Sequence, residues 1–197
     1  MHGFVLLPDK LTETQLIELN NSHFDSPLHL DAVISMPHVT VLQAPIRNGF
    51  KATPFLEQFK ASPQLQREPK ANLGKLEYLE DHWLFFTVTN PTWLQELNQT
   101  IITALDGWID VEAAPEKTEF ANDAQRISYE KTGYRFNLEA YSPHFTVGVS
   151  DEPVVLPNVS YLENRRVPFR TLAFCEHGEH GKITRVLETV TLPFSWD

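Results

Sequence analysis

Apolar residues in this chain fall into short runs and helical stripes separated by turn-forming residues. Phe4 to Leu7 is a brief apolar run closed by Pro8, which predicts a buried strand. Thr12 and Gln15 have the spacing of a capping box, and Leu16, Ile17 and Leu19 carry the helix to about Asn21. The turn-rich "NNSHFDSPLHLD" then leads into strand material, "AVISMPHVTVLQAP". Thr53 and Pro54 are expected as the N-cap and first residue of a short helix through Phe59. Leu73 to Leu79 alternates, a turn is expected near Asp81, and Trp83 to Val88 completes a hairpin. Asn90-Pro91 is expected to cap a third helix, with Trp93, Leu94, Leu97, Ile101, Ile102 and Leu105 at helical spacing.

From Gly107 to Ser142 the pattern loses its period, and a loop with one helix near Asp123 to Glu130 is expected. A second strand follows in "YSPHFTVGVS". A long closing hairpin is predicted from Arg170 to Glu176 and from Ile183 to Leu192, around a Gly-containing turn. No flexible linker interrupts the chain. One domain spanning 1–197 is therefore expected, of α+β class, with two pseudo-symmetric lobes of mainly antiparallel sheet and flanking helices around a central cleft.

The expectation of two similar halves comes from a repeat. "PHVTV" at 37–41 returns as "PHFTV" at 143–147. A chain of this length yields on the order of one such match by chance, so the weight lies in the residue types. On a strand, residues i and i+2 share a face. His38 and Thr40 then point one way and Val39 and Val41 the other. His144 and Thr146 are likewise opposed to Phe145 and Val147. Pro37 and Pro143, lacking an N–H, mark strand starts. A lone His-x-Thr is usually a surface or carbonyl-satisfied histidine. Two facing pairs make an acid–base couple near neutral pH, with two hydroxyls to donate to phosphate oxygens.

Composition narrows the ligand. Net charge is −10, from 26 acidic and 16 basic residues, so no long nucleic-acid footprint is expected and a phosphate ligand is small or held by its end. The single cysteine, Cys175, fits a reducing cytoplasm. The short apolar run near the N-terminus has no basic flank, and a soluble cytoplasmic protein without membrane contact is expected. No protein partner is implied.

"CEHGEHG" brings Cys175, His177 and His180 close in sequence. Structural zinc takes four ligands, no second cluster is nearby, and the glycines suit a hairpin turn; no metal and no cofactor are expected. Arg47, Lys51, Arg135, Arg165, Arg166 and Arg170 are the basic residues available to a phosphate, with Arg135 and Tyr141 as cleft-rim candidates ahead of the second motif. Phe4 is either core or a base-stacking face.

The paired "HVTV" and "HFTV", each preceded by proline, resemble the signature of the two-histidine phosphoesterases, which include 2′-5′ RNA ligase-like and RNA 2′,3′-cyclic phosphodiesterase enzymes. The order of elements around the motifs extends the resemblance over nearly the whole chain. It implies His38 and His144 as the catalytic pair and Thr40 and Thr146 as the phosphate-binding pair. It also implies metal-independent attack on a 2′,3′-cyclic phosphate or 2′-5′ linkage of a nucleotide or RNA end. A nucleotide-binding regulatory module without turnover, or a hydrolase of another small cyclic nucleotide, are the alternatives.

Overall fold

The computed structural model describes residues 1–24, 26–66, 69–79, 83–89, 92–117, 119–150 and 155–193. In chain order the elements are β1 (His2–Pro8), α1 (Lys10–His23), β2 (Val39–Ala44), α2 (Ala52–Lys60), α3 (Pro63–Gln66), β3 (Lys70–Leu79), β4 (Trp83–Thr89), α4 (Thr92–Ala104), α5 (Asp123–Thr132), β5 (His144–Val149), β6 (Arg166–His177) and β7 (Ile183–Thr191). The class is α+β, as expected. The turn near Asp81 and the Asn90-Pro91 cap lie outside the described residues.

Two caps differ from expectation. Asp9, not Thr12, caps α1: its carboxylate accepts from the Thr12 N–H at 2.9 Å. A carboxylate beside the orphan amides of a first turn also meets the positive end of the helix dipole. Gln15 instead accepts from Arg165. The cap position of α2 is Lys51, and Thr53 lies inside the helix with its hydroxyl bonded to Glu188. In the 107–142 connector, α5 is longer than expected. Asn122 caps it, and Gly133 ends it at φ +70°, where a Cβ would also strike Pro45.

The strands make one antiparallel sheet, ordered β1-β2-β5-β4-β3-β6-β7, and a further β1–β6 pairing closes the first six into a ring. The sheets expected in two separate lobes are thus continuous. The cause is the length of β6, which pairs with β3 at Arg166, Val167 and Pro168 and with β1 from Phe169 to Glu176.

One face of this sheet is the main core. Phe4, Leu6, Val39, Val41, Phe86, Phe145, Val147 and Leu172 are buried there against Leu16 and Leu19 of α1, Leu56 and Phe59 of α2, and Leu94, Leu97 and Ile101 of α4. Each such side chain contributes about 1.5–3 kcal/mol by leaving water. Phe4 belongs to this core: it is 0 % exposed and packs edge-on against Phe59 at 5.5 Å, which removes it as a base-stacking face. The helix stripe at Leu94, Leu97 and Ile101 is buried as its spacing predicts.

Two buried asparagines tie helices to the motif strands. Asn20 of α1 donates through Nδ2 to the Val147 carbonyl at 2.8 Å, and its Oδ1 accepts from the Leu30 N–H. Asn98 of α4 donates to the Val41 carbonyl at 2.6 Å, and its Oδ1 accepts from the Leu138 N–H. Val41 and Val147 are the last residues of the two repeats, so the same bond recurs at equivalent positions. Removing either amide strands a buried carbonyl and an N–H that is buried at Leu30 and part-buried at Leu138, each buried group costing about 1–3 kcal/mol. Asn20→Ala and Asn98→Ala should each lose about 2–4 kcal/mol of stability in urea denaturation. Wild-type midpoints in both variants would show that these bonds carry no weight.

Candidate active site

The two motifs meet at one point. The β2–β5 pairing consists of a single residue pair, Val39 with Phe145. Antiparallel register then sets His38 level with Thr146 and Thr40 level with His144, each histidine beside the other motif's threonine. Val39, Val41, Phe145 and Val147 are fully buried, while the four polar side chains are half-buried on the opposite face. The predicted alternation holds at every position.

Both histidines are held alike. His38 Nδ1 lies 2.8 Å from the Met36 carbonyl, and His144 Nδ1 lies 2.7 Å from the Ser142 carbonyl. A carbonyl only accepts, so Nδ1 carries the proton of the neutral ring and Nε2 holds the lone pair. The intervening prolines account for the match: Pro fixes its own φ and biases the residue before it to extended backbone. They act just ahead of the strands, which begin at Val39 and His144.

A cavity of about 230 Å³ is lined by His38, Thr40, His144 and Thr146, together with Gln43, Trp83, Tyr134, Arg135, Phe136, Tyr141, Ser142 and Gly181. Arg135 is among these residues, its guanidinium 4.5 Å over the Phe136 ring. Tyr141 also lines it, from a largely buried position. Its hydroxyl donates to the Thr40 carbonyl at 2.9 Å, bracing the first motif, and burial pushes its pKa up. Arg47, Lys51, Arg165, Arg166 and Arg170 are not among the lining residues.

Trp83, Tyr134 and Phe136 escaped the sequence reading. For Tyr134 and Phe136 the available signal was "GYRFNLEAY", aromatics interleaved with one arginine just ahead of the second motif, while Trp83 opens β4. What seats Tyr134 and Phe136 is a polar knot. The Ser128 hydroxyl donates to the Tyr134 carbonyl at 2.7 Å, and Asn137 Nδ2 donates to the Gln43 carbonyl at 2.9 Å and to Thr132 Oγ1 at 2.8 Å. This knot fastens the connector to β2.

Burial dominates the electrostatics. It lowers the pKa of His38 to about 4, with His144 adding to the effect and the Met36 bond opposing it. Burial also lowers the pKa of His144, against the Ser142 bond. The ring of His144 packs on Phe85 at 5.2 Å between centroids. The ring of His38 packs on His177 at 5.5 Å.

His177 does not sit in the turn of the closing hairpin, where the glycines of "CEHGEHG" place it. It is the last residue of β6, paired with Ile183, with only 7 % of its surface exposed. Its N–H donates to the Met1 carbonyl, while neither ring nitrogen has a partner. Cys175 is buried and its thiol is pushed up to about 12. Among the described residues, no three His, Cys, Asp or Glu side chains are grouped as metal ligands. Nor is any helix among them long and apolar enough to cross a membrane.

No protein-family model matches this chain, and a search of curated proteins found no match either.

The lowered histidine pKa values set a direction for stability. The unfolded chain takes up protons near pH 6.5, before the folded protein does, so stability is full above that pH and falls as pH drops toward 4. Melting temperatures at pH 7.5 and pH 5.0 separate this effect from most carboxylate titration. The wild type should lose several degrees between them, and His177→Phe should lose less. Equal losses would exclude His177 as a source.

Proposed function

We propose that this cleft is the active site of a metal-independent phosphodiesterase of the two-histidine type, acting on a 2′,3′-cyclic phosphate or a 2′-5′ linkage in a nucleotide or RNA end. One observation carries it: two identically tethered imidazoles and two threonine hydroxyls alternate about the Val39–Phe145 pair, on one face of the sheet.

With phosphorus between the rings, the neutral imidazole takes a proton at Nε2 from the attacking water or hydroxyl as the new P–O bond forms. The other ring, protonated, gives its Nε2 proton to the departing oxygen as the old P–O bond breaks. Thr40 and Thr146 donate to the non-bridging oxygens, and Arg135 adds positive charge at the cavity wall. With both rings pushed toward neutrality by burial, the required proton enters with the ligand, because a phosphate anion favours the imidazolium beside it.

Connectivity supports a division into two pseudo-symmetric lobes. β1-α1-β2 and β4-α4-β5 follow the same order, the second with α5 inserted before its last strand; each ends on a motif strand, and α1 and α4 each supply the asparagine bound to the other motif. Trp83, Tyr134 and Phe136 give a stacking surface suited to a base. The cavity is smaller than the ~300 Å³ at which drug-sized pockets begin. That size, with the net charge of −10, favours a single nucleotide held by its end over an extended strand. A buried lone thiol fits the proposed reducing cytoplasm.

Turnover of short RNAs ending in 2′,3′-cyclic phosphate tests the assignment. His38→Ala and His144→Ala should each lower kcat by about 10²–10⁴-fold. The double variant should be little worse than the worse single one, and Thr40→Ala or Thr146→Ala should cost less. A folded histidine variant with wild-type kcat would sink the paired mechanism. Binding without turnover in the wild type would favour the regulatory module.

Proton uptake with the ligand makes a separate expectation. KM for the cyclic phosphate should rise as pH increases from 6 to 8, because the neutral cleft must gain a proton to hold the anion. A KM independent of pH over this range would contradict it.

A further inference from the structure

Behind His38, outside the cavity lining, a further imidazole lies buried. His177 is 7 % exposed, and its ring lies edge-to-face on His38 at 5.5 Å. Both of its nitrogens lack a hydrogen-bond partner. The chain makes room for it: a Cβ on Gly3 would lie 2.6 Å from His177 Nε2 and 2.9 Å from its Cε1. A buried side chain with unpartnered polar atoms is costly, and an apolar ring of similar size would fill the space without that cost. Such departures from local consistency concentrate where a site needs them.

We propose that His177 is a positioning residue for the proton that His38 takes up: a neutral, buried imidazole standing where water would otherwise solvate the His38 imidazolium. During turnover one ring of the cleft must accept a proton in a desolvated place. A neighbouring dipole with a free lone pair can stabilise that charge without admitting water that would compete for the phosphate. His177 suits this because its own protonation is opposed by burial and by the surrounding positive groups, His38, the N-terminal amino group and His2. Among the described residues, His144 also acts on His38 across the cleft, and Glu176 acts on His2 and pairs with Arg185 at 3.9 Å; Cys175, buried on the same strand, is held as the thiol.

The kinetic part of the test rests on the phosphodiesterase reading, while the titration part does not. Wild type, His177→Phe, His177→Gln and Gly3→Ala are compared by kcat and KM on a 2′,3′-cyclic nucleotide and by NMR titration of the His38 and His144 rings. His177→Phe removes the dipole and keeps the ring. It should melt no lower than wild type, lose roughly tenfold in kcat with KM within about twofold, and titrate at His38 below wild type. His177→Gln restores a neutral polar neighbour and should keep kcat within about threefold of wild type. Gly3→Ala displaces the His177 ring and should move the His38 titration while leaving that of His144 in place. A folded His177→Phe protein with wild-type kcat and His38 titration overturns the proposal. So does a Gln variant as impaired as Phe, since a neutral polar neighbour would then not be what His38 requires. If the Phe variant does not fold, the Gln and Gly3 variants decide. A wild type inactive on both 2′,3′-cyclic phosphates and 2′-5′ linkages would sink the phosphodiesterase reading and leave the His38 titrations to decide the role of His177.

Discussion

The cross-strand pair of Val39 with Phe145 is the constraint from which the site follows. It is the one residue pair by which β2 and β5 join. Both side chains are fully buried in the main core, so a register slip would turn two apolar residues to the cleft and two histidines into the hydrocarbon. The core therefore enforces the alignment of four polar groups that do not touch it. With pairing confined to one position, the sheet leaves space between the motifs while fixing their relative height.

The histidines are oriented without carboxylates. In a Ser-His-Asp arrangement the acid both aligns the imidazole and stabilises its charge. Here a backbone carbonyl two residues upstream aligns each ring and favours its charged form, but burial outweighs that bond and drives the charge off. The cleft keeps a fixed geometry and an unfixed protonation state, which an anionic ligand can set.

Support for this geometry comes from two buried polar systems that bridge distant parts of the chain. Asn20 and Asn98 fix α1 and α4 on the carbonyls that end the two motifs. Asn137, Thr132 and Ser128 fix the connector, and with it Tyr134, Arg135 and Phe136, on β2. Satisfied buried networks of this kind specify one arrangement, because every alternative leaves polar groups unpaired. The Tyr141 bond to the Thr40 carbonyl serves the same end from the cleft side.

Period-two alternation in "HVTV" and "HFTV" determined which side chains face the cleft, and apolar spacing determined the α4 stripe, since both depend on local backbone geometry. Most element positions were legible for the same reason. The caps of α1 and α2 were misplaced because competing cap residues stand within a few positions of each other, and tertiary contacts such as Arg165 with Gln15 and Thr53 with Glu188 occupy the side chains in question. The closed ring was not legible, because strand order depends on pairings between β1, β3 and β6 that leave no periodic trace. His177 shows the limit most clearly. In sequence it belongs with Cys175 and His180 in an apparent ligand string. In the fold, the β1–β6 pairing and the missing side chain of Gly3 carry it to His38, from 139 positions away in the chain. Local order is written in the spacing of residues. The chemistry of the site depends on which distant surfaces meet, and only packing decides that.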